Sequence, residues 1–241
     1  LFEGEADAAL MNSVCFDAFV VGNHEFNNGD QGLVTFLDYL KEGNCQTPVL
    51  GANVQPEVGA SPLAMSSAND YLQPYTIVER NGEKVGIIGI VISKKTKMSS
   101  NPDDTTMFLD EVTTAQQYAD ELNSQGVDRV ILLSHYGYDN DLALAQNTSG
   151  IDIIVGGDSH SLLGDFGDIG LKPSGSYPTM VSDASGNDVC VVTAWQYSQI
   201  VGELHAEFDG QGNITSCVGT PHMMLADSFK RKNADGERVE I

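Results

Sequence analysis

The chain has 241 residues, 41% of them hydrophobic, enough for one large domain or two small ones with a sizeable core. Its 34 acidic and 12 basic residues give a formal charge of −22, which argues against a nucleic-acid binder and fits a secreted or salt-adapted protein, or one that holds cations. No stretch is apolar and long enough to span a membrane, and the chain opens inside a helical pattern without an initiator Met, as a mature chain or fragment would.

Residues 3–14 read as a helix, and the apolar run DAFVVG (17–22) as a short buried strand. A helix follows over 30–43, then a strand at PVLGANV (48–54) and an irregular stretch over 55–72. YTIVER and EKVGIIGIV, joined by Asn81-Gly82, form a hairpin over 75–91. An amphipathic helix over 110–124 leads to strands at 128–134 and 151–157, with a helix between them. Shorter strands follow at 179–182, 188–195, 200–208 and 213–217, and 221–241 reads as a polar linker or tail after a domain over 1–220. Alternating strands and helices followed by antiparallel strands predict an α/β sandwich.

Three strands end alike. DAFVV runs into Gly22-Asn23-His24-Glu25, VILLS into His135-Tyr136-Gly137, and DIIVGG into Asp158-Ser159-His160. In α/β sheets the carboxyl ends of strands form the ligand crevice, so one rim collects Asn, His and Asp side chains. Each alone has a plain structural reading: Asn23 in a turn, His135 as a satisfied strand-end histidine, Asp158 as a cap. Together they point to a divalent metal centre of mixed nitrogen and oxygen ligands, the kind that supports hydrolysis. His205 and His222 read as structural, the first on a solvent-facing strand position and the second in a loop.

Cys15 and Cys45 precede neighbouring strand candidates and could pair, while Cys190 and Cys217 lie on later strands; four buried free thiols are the alternative. Sequons at Asn147 and Asn213 lean towards a eukaryotic secretory origin.

GNHEF, SHYGYDND, IDIIVGGDSHSLLG and VVTAWQYSQIVGEL, in that order, resemble the catalytic domain of the 5′-nucleotidase family of calcineurin-like metallophosphoesterases, from residue 1 to about residue 208. The resemblance implies a four-layer α/β/β/α sandwich. It also implies hydrolysis of phosphate esters, typically nucleoside 5′-phosphates, through two divalent ions (Zn, Mn or Mg) and a metal-bound hydroxide, in an extracellular or periplasmic setting. Carried over, Asn23, His135 and Asp158 would bind the second metal and His160 the first. His24 would face the phosphate and protonate the leaving oxygen.

Three departures accompany the match. The family opens with strands ending D-x-H and G-D that supply much of the first metal site; none precedes GNHEF here, so the resemblance implies a missing N-terminal segment or another chain as partner. The family motif usually continues GNHEFD, its aspartate supporting the histidine; here Asn27 stands in that place and Asp30 is the nearby carboxylate that would compensate. Asp158 replaces a frequent histidine and favours harder ions such as Mn or Mg. Two other readings stay open: a non-catalytic binding or structural relative on the same fold, and a phosphoesterase for nucleotide sugars or other phosphoesters. Residues 55–72 and 92–109 carry no readable specificity code.

Overall fold

The structure is a computed structural model that describes residues 2–225, 230–233 and 235–240. In chain order its elements are α1 (Glu5–Val14), β1 (Phe19–Val20), α2 (Gly29–Glu42), β2 (Val49–Leu50), β3 (Val54–Pro56), β4 (Tyr75–Arg80), β5 (Glu83–Val91), α3 (Ser93–Ser99), β6 (Thr106–Phe108), α4 (Glu111–Ser124), β7 (Val130–His135), α5 (Tyr138–Asn147) and β8 (Ile153–Gly156). They continue as β9 (Thr179–Ser182), β10 (Asp188–Thr193), β11 (Ile200–Phe208), β12 (Ile214–Met223), β13 (Lys230–Lys232) and β14 (Arg238–Glu240).

The main sheet has the strand order β4-β5-β7-β8-β10-β9. Its four inner strands are parallel and its two edge strands antiparallel. The inner strands are near-continuous apolar runs because both faces are covered. On one face lie α4 and α5. Asp110 caps α4 by accepting the Thr113 N–H at 2.8 Å, and Ala115, Ala119 and Leu122 turn one helical stripe onto the sheet. Gly86 makes room for this helix, since a Cβ there would stand 2.6 Å from Leu122 Cδ1.

On the other face the parallel pair β1–β2 packs against β5 and β7. Gly89 permits the approach: a Cβ would stand 2.3 Å from Leu50 Cβ. Outside β1–β2, Ala8 of α1 and Leu33, Leu37 and Leu40 of α2 close a second core with Val21, Phe26 and Val91. The order of layers is therefore helix, sheet, sheet, helix, as the resemblance implied.

Several local expectations change. The run 48–54 is two strands, not one. The chain turns between them, and the buried Asn53 side chain donates to Val91 O at 2.8 Å and accepts Val91 N–H at 3.0 Å, so the break costs no polar group. The strand expected over 213–217 extends to Met223 and takes in His222, which therefore lies on a strand and not in a loop. It crosses position 220, and β13 and β14 pair antiparallel in the segment read as a tail; residues 226–229, 234 and 241 of that segment lie outside the described residues. Disulfides join Cys15 to Cys45 and Cys190 to Cys217, so the free-thiol alternative falls. Among the described residues no helix is long and apolar enough to cross a membrane.

Candidate active site

The rim forms where β1, β7 and β8 end. After Val21 the chain enters a 3-10 turn, His24–Phe26. Phe26 is fully buried with its ring edge-on to Phe108, and Glu25 folds back to accept the Gly22 N–H at 2.6 Å. Between these anchors Asn23 is buried at 1% exposure. Its amide NH₂ donates to Ser99 Oγ at 3.2 Å, which turns its Oδ1 towards His135 Nε2 at 3.0 Å.

His135 is the last residue of β7. Two glycines hold its ring in a slot: a Cβ on Gly22 would stand 2.8 Å from Cε1, and one on Gly157 would stand 3.2 Å from Nδ1. Beyond β8, Asp158 adopts φ 70° and His160 φ 51°, left-handed conformations that bend the loop sharply back. The bend brings Asp158 Oδ1 to 3.4 Å from His135 Nε2. Lys95 of α3 forms an ion pair with the same carboxylate. Three strand ends therefore converge an amide oxygen, an imidazole nitrogen and a carboxylate oxygen.

Burial lowers the His135 pKa, against the raising influence of Asp158 and Glu25; Lys95 and His24 lower it further. The imidazole is neutral at physiological pH, the state in which it ligates a metal. His24 follows Asn23 directly in the 3-10 turn at the end of β1. His24 is exposed, and its Nδ1 lies 3.1 Å from Asn27 Nδ2 and 3.4 Å from Asn27 Oδ1.

Not every predicted residue joins the cluster. His160 is exposed and apart from it, its ring edge-on to Tyr197 with centroids 5.4 Å apart. Asp30 does not compensate for Asn27. It is fully buried and fully engaged, accepting from Ser61 Oγ at 2.8 Å, Thr106 Oγ1 at 2.5 Å and Asp103 N at 3.1 Å. His205 and His222 both hold Glu203, each at 2.7 Å, on the exposed face of the β11–β12 hairpin, as structural residues would.

Among the described residues no three His, Cys, Asp or Glu side chains form a metal cage by themselves. The donor set here is completed by the Asn23 amide, and its chemistry fits a divalent ion; the Lys95 ammonium already rests on Asp158 as a cation would. Lys95 and Ser99 went unread in the sequence, although three lysines within 94–97, out of 12 basic residues, mark α3 as a basic element in an acidic chain.

No family model matches the chain. It is 45% identical over 244 residues to a probable 5′-nucleotidase of Treponema pallidum, covering all of this chain and 39% of that protein. It superposes on the structure of the NAD nucleotidase of Haemophilus influenzae with a TM-score of 0.89 at 38% identity, covering 100% of this chain and 46% of the other. A calcineurin-like phosphoesterase of Bacillus subtilis matches with a TM-score of 0.63 at 26% identity, over 90% of this chain and 66% of that one. The chain spans about two-fifths of the length of the curated relatives, 39% of the Treponema protein.

Proposed function

Because the chain belongs to the 5′-nucleotidase family, on the calcineurin-like phosphoesterase fold, we propose that it forms part of a metal-dependent phosphoesterase that hydrolyses nucleoside 5′-phosphates. The observation that carries this reading is the convergence of Asn23 Oδ1 and Asp158 Oδ1 on His135 Nε2, at 3.0 and 3.4 Å, from three separate strand ends. A scaffold has no physical need for that set.

Asn23, His135 and Asp158 would hold one divalent ion, and His160 would contribute to a second. When bound, such ions neutralise charge on the phosphoryl oxygens and make a water acidic enough to attack near neutral pH. The remaining work falls to His24. As the doubly protonated imidazolium, its exposed ring can donate a hydrogen bond from Nε2 to a phosphoryl oxygen and pass that proton to the leaving 5′ oxygen, which leaves a neutral ring. Asn27 can serve both protonation states. Its amide presents either NH₂ or oxygen to Nδ1, so it accepts the Nδ1–H that remains once Nε2 has lost its proton. Two disulfides that use all four cysteines support an oxidising, extracellular or periplasmic setting.

The test uses the full-length native protein that contains this chain. Phosphate release from AMP should vanish with a chelator and return with Mn²⁺ or Zn²⁺. The panel includes NAD, which the Haemophilus relative's name suggests, and a nucleotide sugar. His24→Ala should lower turnover by about 10²-fold or more with no change in melting temperature. No hydrolysis of any phosphoester at any metal concentration would favour the non-catalytic reading.

A further inference from the structure

α5 starts directly behind the rim and is fastened to it. The Tyr138 N–H donates to Ser159 Oγ at 2.9 Å, tying the first turn of the helix to the loop that carries Asp158 and His160. Within the same turn Asp141 is fully buried. Its Oδ1 accepts the Ser134 hydroxyl at 2.5 Å. Among the described residues its Oδ2 has no hydrogen-bond partner, and it lies against Gly156, where a Cβ would stand 2.3 Å from it.

Ser134 and Gly156 face each other as the last register pair of β7 and β8. One residue beyond Ser134 is His135, and two beyond Gly156 is Asp158. The Asp141 carboxyl thus spans both strands at the level from which both site residues project. Burial, with a further contribution from the Asp158 charge, pushes this carboxyl up to about 8, so it keeps its proton at neutral pH. An unpaired polar atom in the core is costly, and an apolar side chain would fill the same space without that cost.

We propose that Asp141 is a positioning residue: it fixes the spacing of His135 and Asp158 from beneath, by bonding Ser134 on one strand and filling the space over Gly156 on the other. The proposal rests on the metal-site reading above. Supporting groups behind metal ligands act in this way, because a ligand pair holds an ion well only when its separation is set beforehand.

The experiment measures Mn²⁺ binding to the full-length native protein by calorimetry, together with melting temperature. Asp141→Ala and Ser134→Ala should each weaken binding by about tenfold or more, while Asp141→Asn, a neutral group that still accepts from Ser134, should stay within about threefold of wild type. Wild-type protein that binds no Mn²⁺ would sink the metal-site reading itself. Wild-type binding with unchanged affinity in the Ala variants would overturn only the role of Asp141. So would an Asn variant as weak as Asp141→Ala, since a neutral bridge would then not be what holds the strands. If Asp141→Ala fails to fold, Ser134→Ala, which removes one hydroxyl, decides the matter.

Discussion

Gly22→Ala adds a single methyl group beside the site, and its consequence can be worked from geometry. Gly22 sits outside the left-handed region, so alanine brings no backbone strain. The cost is steric. The new Cβ would stand 2.8 Å from His135 Cε1 and 2.9 Å from Nε2, with Glu25 Oε2 at 3.0 Å. Carbon atoms rest at about 3.5 Å or more, so the ring must retreat by about 0.7 Å. That stretches the 3.0 Å approach of Nε2 to Asn23 Oδ1 by up to the same amount, to at most about 3.7 Å, beyond hydrogen-bond range. Misplacement on this scale costs on the order of 30- to 100-fold in kcat/KM, about 2–2.7 kcal/mol of barrier. The fold should lose only about 1 kcal/mol, because one methyl is added at the edge of the core. The assay is phosphate release from AMP by the full-length protein, with a melting curve of the same sample. A folded Gly22→Ala protein within about threefold of wild-type kcat/KM would refute the idea that the His135 slot sets the site geometry.

Asp152 accepts the Val130 N–H at 2.7 Å, and burial pushes its carboxyl from 3.8 up to about 7. The folded state holds this proton more tightly than the unfolded chain. Its contribution to stability is therefore complete below pH 3.8 and is lost as pH rises through about 7. Asp152→Asn keeps the acceptor and should flatten that decline in urea unfolding; an unchanged slope between pH 4 and pH 8 would contradict it. Replacing Cys190 and Cys217 together by serine reopens a bridge spanning 27 residues and should cost about 3–4 kcal/mol, read as a lower urea midpoint. Asn27→Asp places a carboxylate beside His24 and favours its protonated ring, so phosphate release on the alkaline side of the optimum should rise; a fall would show that the site depends on the neutral amide.

The strand ends were legible because the signal is local: an apolar run stops, and Asn, His or Asp follows within a few residues. What escaped the sequence depends on partners far along the chain. The run 48–54 is uniformly apolar up to Asn53, and only the meeting of that side chain with Val91 shows that the strand breaks there. Thr220-Pro221 looks like a strand terminus, yet Pro221 sits opposite Gly202 inside β12. β11 and β12 form a two-stranded sheet in which each strand is an edge, so the missing proline N–H can face away from the partner strand. Lys95 lies 63 residues from the carboxylate it pairs with, so no window of sequence contains both.

α5 sharpens the point. YDNDLALAQN carries Asp139 and Asp141 in its first turn, where acids near a helix N-terminus are expected on electrostatic grounds and read as solvated. Two residues along a helix rotate a side chain by about 200°, so the two aspartates must face opposite ways. The sequence alone leaves open which one turns inward. Leu144 and Ala145 settle it by packing into the main core, and Asp141, three residues before Leu144, shares their buried face while Asp139 stays exposed. Of two identical residues two positions apart, the one turned into the core is identified by the packing of its apolar neighbours.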